Sequence, residues 1–251
     1  MTTLVLDHVV KRFGGLVATN DVSLAIPPAR ITGVIGPNGA GKTTIVNLIT
    51  GMLPLSSGTI RLGARDLTHA AAHEVGRAGI ARTFQNIRLL REASVADNIM
   101  VGFHRHEAVS VAASLFGLPS ARRETARIRA ATEVLLARFG MARFADHPAG
   151  SLAYGHQRRV EMMRALATEP DILILDEPVA GMNDVEAHEL GDIFDALARG
   201  GMGIMLIEHN MRFVMRLCAN IFVLDGGRLI AEGPPDAVAA DPAVITAYLG
   251  I

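Results

Sequence analysis

Lysine is nearly absent from this sequence. Only Lys11 and Lys42 occur, and arginine carries the rest of the basic charge. A lysine at position 42 is therefore not background. Cysteine is scarcer still: the single Cys218 excludes an intramolecular disulfide and fits a reducing compartment. It lies in an apolar stretch of helical character and reads as small core filler. Charge of one sign is also lacking. A formal net charge of −1 gives no general pull toward nucleic acid. No apolar run approaches the ~20 residues that a membrane-spanning helix needs. The stretch from Met1 to Val10 is broken by Asp7 and His8 and has no charged leader, so no signal peptide is expected.

What is present is an ordinary globular composition. Half of the 251 residues are hydrophobic and a fifth are charged, enough for one large domain or two intimate subdomains. The first thirty residues alternate (Leu4, Leu6; Val22, Leu24, Ile26) around Phe13-Gly14-Gly15, which predicts antiparallel strands ending at Pro27-Pro28. Ile31 to Ile35 is a short apolar strand that leads through a Gly-rich turn into a helix from Lys42 to about Thr50. Further strands are expected at Ile80 to Phe84, Ile172 to Leu175 and Ile204 to Ile207, with a helix over Asp184 to Arg199. Residues ~90 to 160 have helical periodicity, clearest over Ala121 to Phe139, where Ile128, Ala131, Leu135 and Phe139 fall on one stripe. Arg122, Arg123, Arg127 and Arg129 read as the solvated face of that helix. Asp225-Gly226-Gly227 signals a hairpin, and the tail from Pro234 reads as short helices. Strands alternating with helices imply a parallel α/β sheet, with the long helical stretch inserted into it.

Gly36-Pro37-Asn38-Gly39-Ala40-Gly41-Lys42-Thr43 matches the phosphate-binding pattern G-x-x-x-x-G-K-[ST]. Glycines let backbone N–H groups turn inward and approach phosphate oxygens, and the following helix aims its positive end at the same anion. Lys42 supplies a compact charge for the β- and γ-phosphates. Thr43 offers a hydroxyl to Mg²⁺, and Thr44 suits the α-phosphate. Ile172 to Leu175 runs into Asp176 and Glu177: the first suits Mg²⁺ through water, the second suits a general base that polarises the attacking water. Gln85 and His209 follow two other strands. Gln85 would reach the metal and the water, and His209 the γ-phosphate. Taken singly, each of these side chains is as well explained by local structure. Four strand ends meeting on one edge of one parallel sheet point to nucleotide hydrolysis.

Ser151-Leu152-Ala153-Tyr154-Gly155-His156-Gln157 resembles the signature loop of the ABC ATPase family, and the resemblance covers essentially the whole chain. It implies a P-loop NTPase (RecA-like) parallel-sheet core with an N-terminal antiparallel β subdomain and an inserted α-helical subdomain. The expected division is 1–30 antiparallel, 31–90 and 160–225 nucleotide-binding core, 91–159 helical with the signature loop, and 226–251 hairpin and short helices. It further implies ATP and Mg²⁺ as ligands, with Leu152, Ala153, Tyr154, Gly155 and His156 capping the ATP held by another subunit. Phe13 resembles the aromatic that stacks on adenine, with a core phenylalanine as the alternative. Val179-Ala180-Gly181-Met182-Asn183 resembles the D-loop. Implied partners are integral-membrane permease subunits, a second ATPase subunit and, indirectly, an extracytoplasmic solute-binding protein. The implied location is peripheral, on the cytoplasmic face of the inner membrane.

Leu-Ala-Tyr-Gly, Ala-Arg-Thr-Phe-Gln at 81–85, Ile-Glu-His-Asn at 207–210 and Ala-Tyr-Leu-Gly at 247–250 look like one subgroup. This is the first ATPase of branched-chain amino acid importers and of relatives for other small carboxylates and amides. The family pattern has Ser at Ala153, Gly at Tyr154 and Gln or Glu at His156. Ala153 offers no hydroxyl to a γ-phosphate, a loss of about 0.5–1.5 kcal/mol. Two rival classes stand beside this reading: a soluble P-loop enzyme, and a weakly catalytic regulatory half of a heterodimer.

Overall fold

The computed structural model describes residues 2–84, 87–106 and 119–249. The chain divides into two compact units, Met1–Arg82 with Asp171–Ile251, and Thr83–Pro170.

The first unit holds two sheets. β1 (Leu4–Phe13) and β2 (Leu16–Ile26) pair antiparallel across Gly14-Gly15. Their alternation buries Leu4, Leu6, Leu24 and Ile26 on one face. After β3 (Ile31–Ile35) and helix α1 (Lys42–Ile49), β4 (Ser57–Leu62) pairs with β1, and the short β5 (Arg65–Asp66) pairs with β4. The sheet, in the order β2-β1-β4-β5, therefore extends well beyond the first thirty residues. Ile60 and Leu62 alternate onto the same buried face as Leu4 and Leu6, which is why this segment joins it.

Helix α2 (Ala72–Ala78) leads to the second sheet's edge strand, β6 (Ile80–Arg82). The other strands are β7 (Ile172–Asp176), β8 (Gly203–Ile207), β9 (Asn220–Asp225) and β10 (Arg228–Gly233). The order is β10-β9-β3-β8-β7-β6. All pairs are parallel except β9–β10, where Gly226 and Gly227 at φ 51° and 78° form a two-residue hairpin turn. β3, β7 and β8 are buried at every position, and their near-unbroken apolar runs reflect cover on both faces. On one face lies the antiparallel sheet with Ile45 and Ile49 of α1. α6 (Asp184–Arg199) packs on the other through Leu190, Phe194 and Leu197. α7 (Met211–Leu217), α8 (Pro235–Ala239) and α9 (Pro242–Leu249) complete the unit. Cys218 is buried just beyond α7, as expected of core filler.

β6 is shorter than the strand expected over Ile80 to Phe84. As an edge strand it has a partner on one side only, and the chain then leaves for the second unit. The Phe84 backbone is held there by side chains: its N–H donates to Glu161 Oε1 at 3.3 Å, and its carbonyl accepts from Arg158.

The second unit contains α3 (Val95–Met100), a 3₁₀ segment (Val101–His106), α4 (Pro119–Arg138) and α5 (Tyr154–Leu166). Helix does not run through 90–160 as the periodicity suggested. Ser94 caps α3, Gly140 takes φ 65° just after α4, and 3₁₀ turns fill much of the span to α5. Residues Ile128, Thr132, Leu136 and Phe139 form the buried stripe, one position on from Ala131 and Leu135, which are half-buried. Arg122, Arg123, Arg127 and Arg129 of α4 are exposed, as expected. No described helix is long and apolar enough to cross a membrane.

Candidate functional site

The carboxyl ends of β3, β8, β7 and β6 lie side by side on one edge of the parallel sheet. In open α/β sheets this is where ligands sit. The loop Gly36–Gly41 leaves β3 at that edge. Gly36 has φ 150°, and a Cβ there would lie 2.0 Å from the Leu224 carbonyl oxygen; Gly41 has φ 101°, and its Cβ would lie 2.7 Å from the Ala18 carbonyl oxygen. No side chain fits either position. The loop is braced from outside by the hairpin tip: Gly227 N–H donates to Ala40 O at 3.2 Å, and Asn20 N–H donates to Gly227 O at 2.7 Å.

Lys42 is buried. Its Nζ donates to the carbonyls of Gly36 at 2.7 Å and Pro37 at 2.9 Å, so the ammonium is stationed inside the loop. Burial pushes its pKa down, while Glu177 and Asp176 pull the other way. Around it, Ala40 is buried, Pro37, Gly41 and Thr44 are half-buried, and Asn38, Gly39 and Thr43 are exposed.

Asp176 ends β7. Its Oδ2 accepts from Arg82 Nη2 at 2.9 Å, and Arg82 Nη1 donates to Asn47 Oδ1 on α1 at 2.6 Å. Glu177 has φ 50°, a left-handed conformation that costs a non-glycine residue about 1–3 kcal/mol. It turns the chain out of β7 while its N–H still donates to Ile207 O at 2.9 Å. Glu177 Oε1 lies 3.0 Å from His209 Nε2.

The structure thus brings Gly36 to Thr44, Asp176, Glu177 and His209 onto one unit and one sheet edge. Gln85 lies outside the described residues, as do Asn86 and Gly250. Phe13, at the end of β1, is not a core residue: it is 45% exposed, with Lys11 Nζ 4.9 Å above its ring.

The loop Ser151–Gln157 belongs to the second unit. Leu152 is buried, and Ala153 is the N-cap of α5 with no side-chain cap hydrogen bond. Gln157 Nε2 donates to Leu152 O at 2.7 Å, and Ser151 Oγ donates to Pro148 O at 2.7 Å. Tyr154 is half exposed under the Arg158 guanidinium, and the His156 ring lies 4.7 Å from Phe144. The first-turn amides of a helix have no intrahelical acceptor, so this start presents donors.

Three residues at the sheet edge escaped sequence reasoning as site residues: Arg82, Asn47 and Glu208. Arg82 and Glu208 lie inside quoted motifs, but only long-range geometry shows what they hold. Among the described residues, no group of three or more His, Cys, Asp or Glu side chains stands ready to hold a metal. The oxygen donors Thr43 and Asp176 suit a hard divalent cation whose other ligands come from phosphate and water.

Comparison with known proteins agrees with this geometry. Residues 19–180 match the model of the family described as ABC transporter, and residues 228–251 match that described as branched-chain amino acid ATP-binding cassette transporter. The chain is 39% identical over 248 residues to the high-affinity branched-chain amino acid transport ATP-binding protein BraF of Pseudomonas aeruginosa, covering 98% of this chain and 97% of that one. Against LivG of Escherichia coli (strain K12), with the same descriptive name, identity is 40% at the same coverage. The lipopolysaccharide export system ATP-binding protein LptB of the same strain is 32% identical over 250 residues, covering 100% and 98%. Among solved structures, a nucleotide-free ATP-binding cassette from an ABC transporter superposes with a TM-score of 0.86 at 32% identity and full coverage of both chains. The ADP conformation of the cassette MJ1267 gives the same values.

Proposed function

The chain belongs to the ABC transporter ATP-binding family, and from that premise we propose that it energises an importer of branched-chain or other hydrophobic amino acids, or of similar small carboxylates or amides. Its ATPase activity and its association with membrane permease subunits follow from the family. The proposed cargo is supported by the likeness of the whole chain, including residues 228–251, to proteins named for that transport.

The single observation behind the proposed chemistry is the convergence of Lys42, Asp176, Glu177 and His209 at one sheet edge. Backbone N–H groups of Gly36 to Thr44 would hold the phosphates, with Lys42 leaving its loop carbonyls for the β- and γ-phosphate oxygens. Asp176, Thr43 and Gln85 would hold Mg²⁺, which supplies charge neutralisation of the phosphates when bound. Glu177 would take a proton from water as the water oxygen attacks the γ-phosphorus and the bond to the bridging oxygen breaks. His209, beside Glu177, is placed for the γ-phosphate. Phe13 would stack on adenine. Leu152 to His156 would cap the nucleotide held by a second ATPase subunit, using backbone donors, since Ala153 has no hydroxyl. Closure over ATP would then drive the permease through the segment after Gln85, with a solute-binding protein delivering cargo outside. The complex would sit on the cytoplasmic face of the membrane.

The test is ATP-driven uptake of leucine by vesicles containing the assembled complex. Uptake is expected with the parental chain and lost with Glu177→Gln, which keeps ATP binding. Uptake of another hydrophobic amino acid, small carboxylate or amide in place of leucine would narrow the cargo within that class; uptake only of solutes outside it would overturn the cargo. Parental ATP turnover by Glu177→Gln in the complex would overturn the base. That result would favour the regulatory-half reading, to which Ala153 lends its one specific observation.

A further inference from the structure

We propose that Glu208 is a positioning residue for hydrolysis, a buried carboxylate that fixes the spacing of Glu177 and His209 by tying their two backbone turns together. The proposal rests on the reading of Glu177 and His209 given above.

The backbone ladder between β7 and β8 ends at Asp176 and Ile207, with one further bond from Glu177 N–H to Ile207 O. The two catalytic candidates lie beyond it, on turns that leave the sheet separately toward α6 and α7. At that point a side chain takes over from the ladder. Glu208 Oε1 accepts the Val179 N–H at 3.1 Å, from the turn that carries Glu177. Its Oε2 accepts the N–H groups of His209 at 2.9 Å and Asn210 at 3.2 Å, from its own turn. Glu208 is only 4% exposed, so these bonds form away from water, where hydrogen bonds to a carboxylate are strong and their loss is costly.

Two features make this a clamp rather than a local cap. Each oxygen serves a different turn, so neither turn moves without breaking bonds to the same carboxylate. And the constrained turn is already strained, since Glu177 holds φ 50° against its intrinsic preference. The 3.0 Å approach of Glu177 Oε1 to His209 Nε2 is the distance the clamp sets. A misplacement of ~1 Å in a reacting group costs about 100-fold in rate. Glutamine has the right size but only one acceptor oxygen, and its NH₂ would meet a backbone N–H. Aspartate keeps both oxygens but falls one methylene short of Val179.

The experiment compares Glu208→Gln with the parent, as full-length chain in the assembled complex, by ATPase kinetics and by amide hydrogen exchange of the chain. The expected result is kcat down at least about 10-fold with KM for ATP little changed, and protection lost at the amides of Val179, His209 and Asn210 but kept in β7 and β8. If the glutamine variant is unfolded at the assay temperature, Glu208→Asp is measured instead, with the same expectation. Parental kcat in a folded variant overturns the proposal. So does unchanged protection at those amides, or a joint loss of kcat and ATP affinity with protection falling throughout the sheet, which is what a merely structural role would give. Glu177→Gln runs alongside. If it hydrolyses ATP at the parental rate, the assignment of the base fails, and Glu208 has no catalytic pair to position, a failure distinguishable from the others by this control.

Discussion

The phosphate loop of the first unit and the signature loop of the second both open a helix, yet they are built in opposite ways. The loop before α1 is held from several sides. Gly36 and Gly41 are forced by the Leu224 and Ala18 carbonyls, its outer edge is braced by the β9–β10 hairpin, and its lysine is stored on its own carbonyls. The start of α5 has Ala153 as an N-cap without a side-chain bond and an exposed Tyr154. Leu152 is buried, Gln157 donates to its carbonyl, Ser151 donates to Pro148 O, and the His156 ring packs 4.7 Å from Phe144. The first loop is organised in advance for an anion. The second opens its helix with no side-chain cap on its first-turn amides.

The largest test of this contrast is Lys42→Ala. Removing a charge-assisted donor from a pre-organised cradle is expected to weaken ATP binding by roughly 100-fold or more, read by titration with a fluorescent ATP analogue. The backbone of the cradle remains, so cooperative melting should persist. Binding within a few-fold of the parent would mean that the loop's amides do the work alone and that the stored ammonium is incidental.

The reciprocal test adds to the looser site. In Ala153→Ser the hydroxyl arrives at an N-cap whose backbone, at φ −58° and ψ 152°, already suits capping. Without nucleotide the gain is expected to be about 1 kcal/mol, or about 2–4 °C in Tm for a chain of this size. In the assembled ATPase the same hydroxyl should lower KM for ATP by about 2- to 10-fold, one hydrogen bond's worth. A rise in Tm without a change in KM would leave the loop as a capped helix that does not meet the nucleotide.

The two loops also differ in how much of them the sequence discloses. The phosphate loop is legible because its demands are local: glycines where φ is positive, a lysine at fixed spacing, a strand before and a helix after. The carboxyl-edge placement of Asp176, Glu177 and His209 was legible too, because buried parallel strands announce themselves as apolar runs. What stayed hidden is set by tertiary contact. Arg82 meets Asp176 across 94 positions, and Glu208 meets Val179 across 29. The accretion of β4 and β5 onto the antiparallel sheet is equally a matter of long-range pairing, since Ile60 and Leu62 carry an alternation too short to say which sheet they join. In the second unit, periodicity found α4 within about a turn. It overextended helix elsewhere, because Gly140 and the 3₁₀ turns on either side of Pro148 interrupt it.

Smaller effects separate the interiors of the two units. In the second, burial holds the Glu161 carboxyl above its ordinary value of 4.5, with the Phe84 N–H and Arg158 offsetting part of that. The folded state therefore binds this proton more tightly than the unfolded one. Stability from this group falls as pH rises from the unfolded value through the folded one. Glu161→Gln should flatten that part of the Tm-against-pH curve relative to the parent; an unchanged slope would place the titration elsewhere.

In the first unit, the smallest expected signal is none at all. Cys218 is buried, and burial alone pushes its thiol up to about 12. At pH 8 roughly one part in 10,000 would be thiolate, the form that reacts with disulfide reagents. Nothing charged is needed to explain this, and no redox role is implied. Folded chain mixed with a chromogenic disulfide should show no release, and chain unfolded in guanidinium should release one equivalent. Rapid labelling of the folded chain would mean that α7 opens readily from β3, against which Cys218 Sγ sits so closely that a Cβ on Gly33 would lie 3.0 Å away. The sheet edge that holds Lys42 would then be less rigid than its hydrogen bonds indicate, and the contrast between the two loops would narrow.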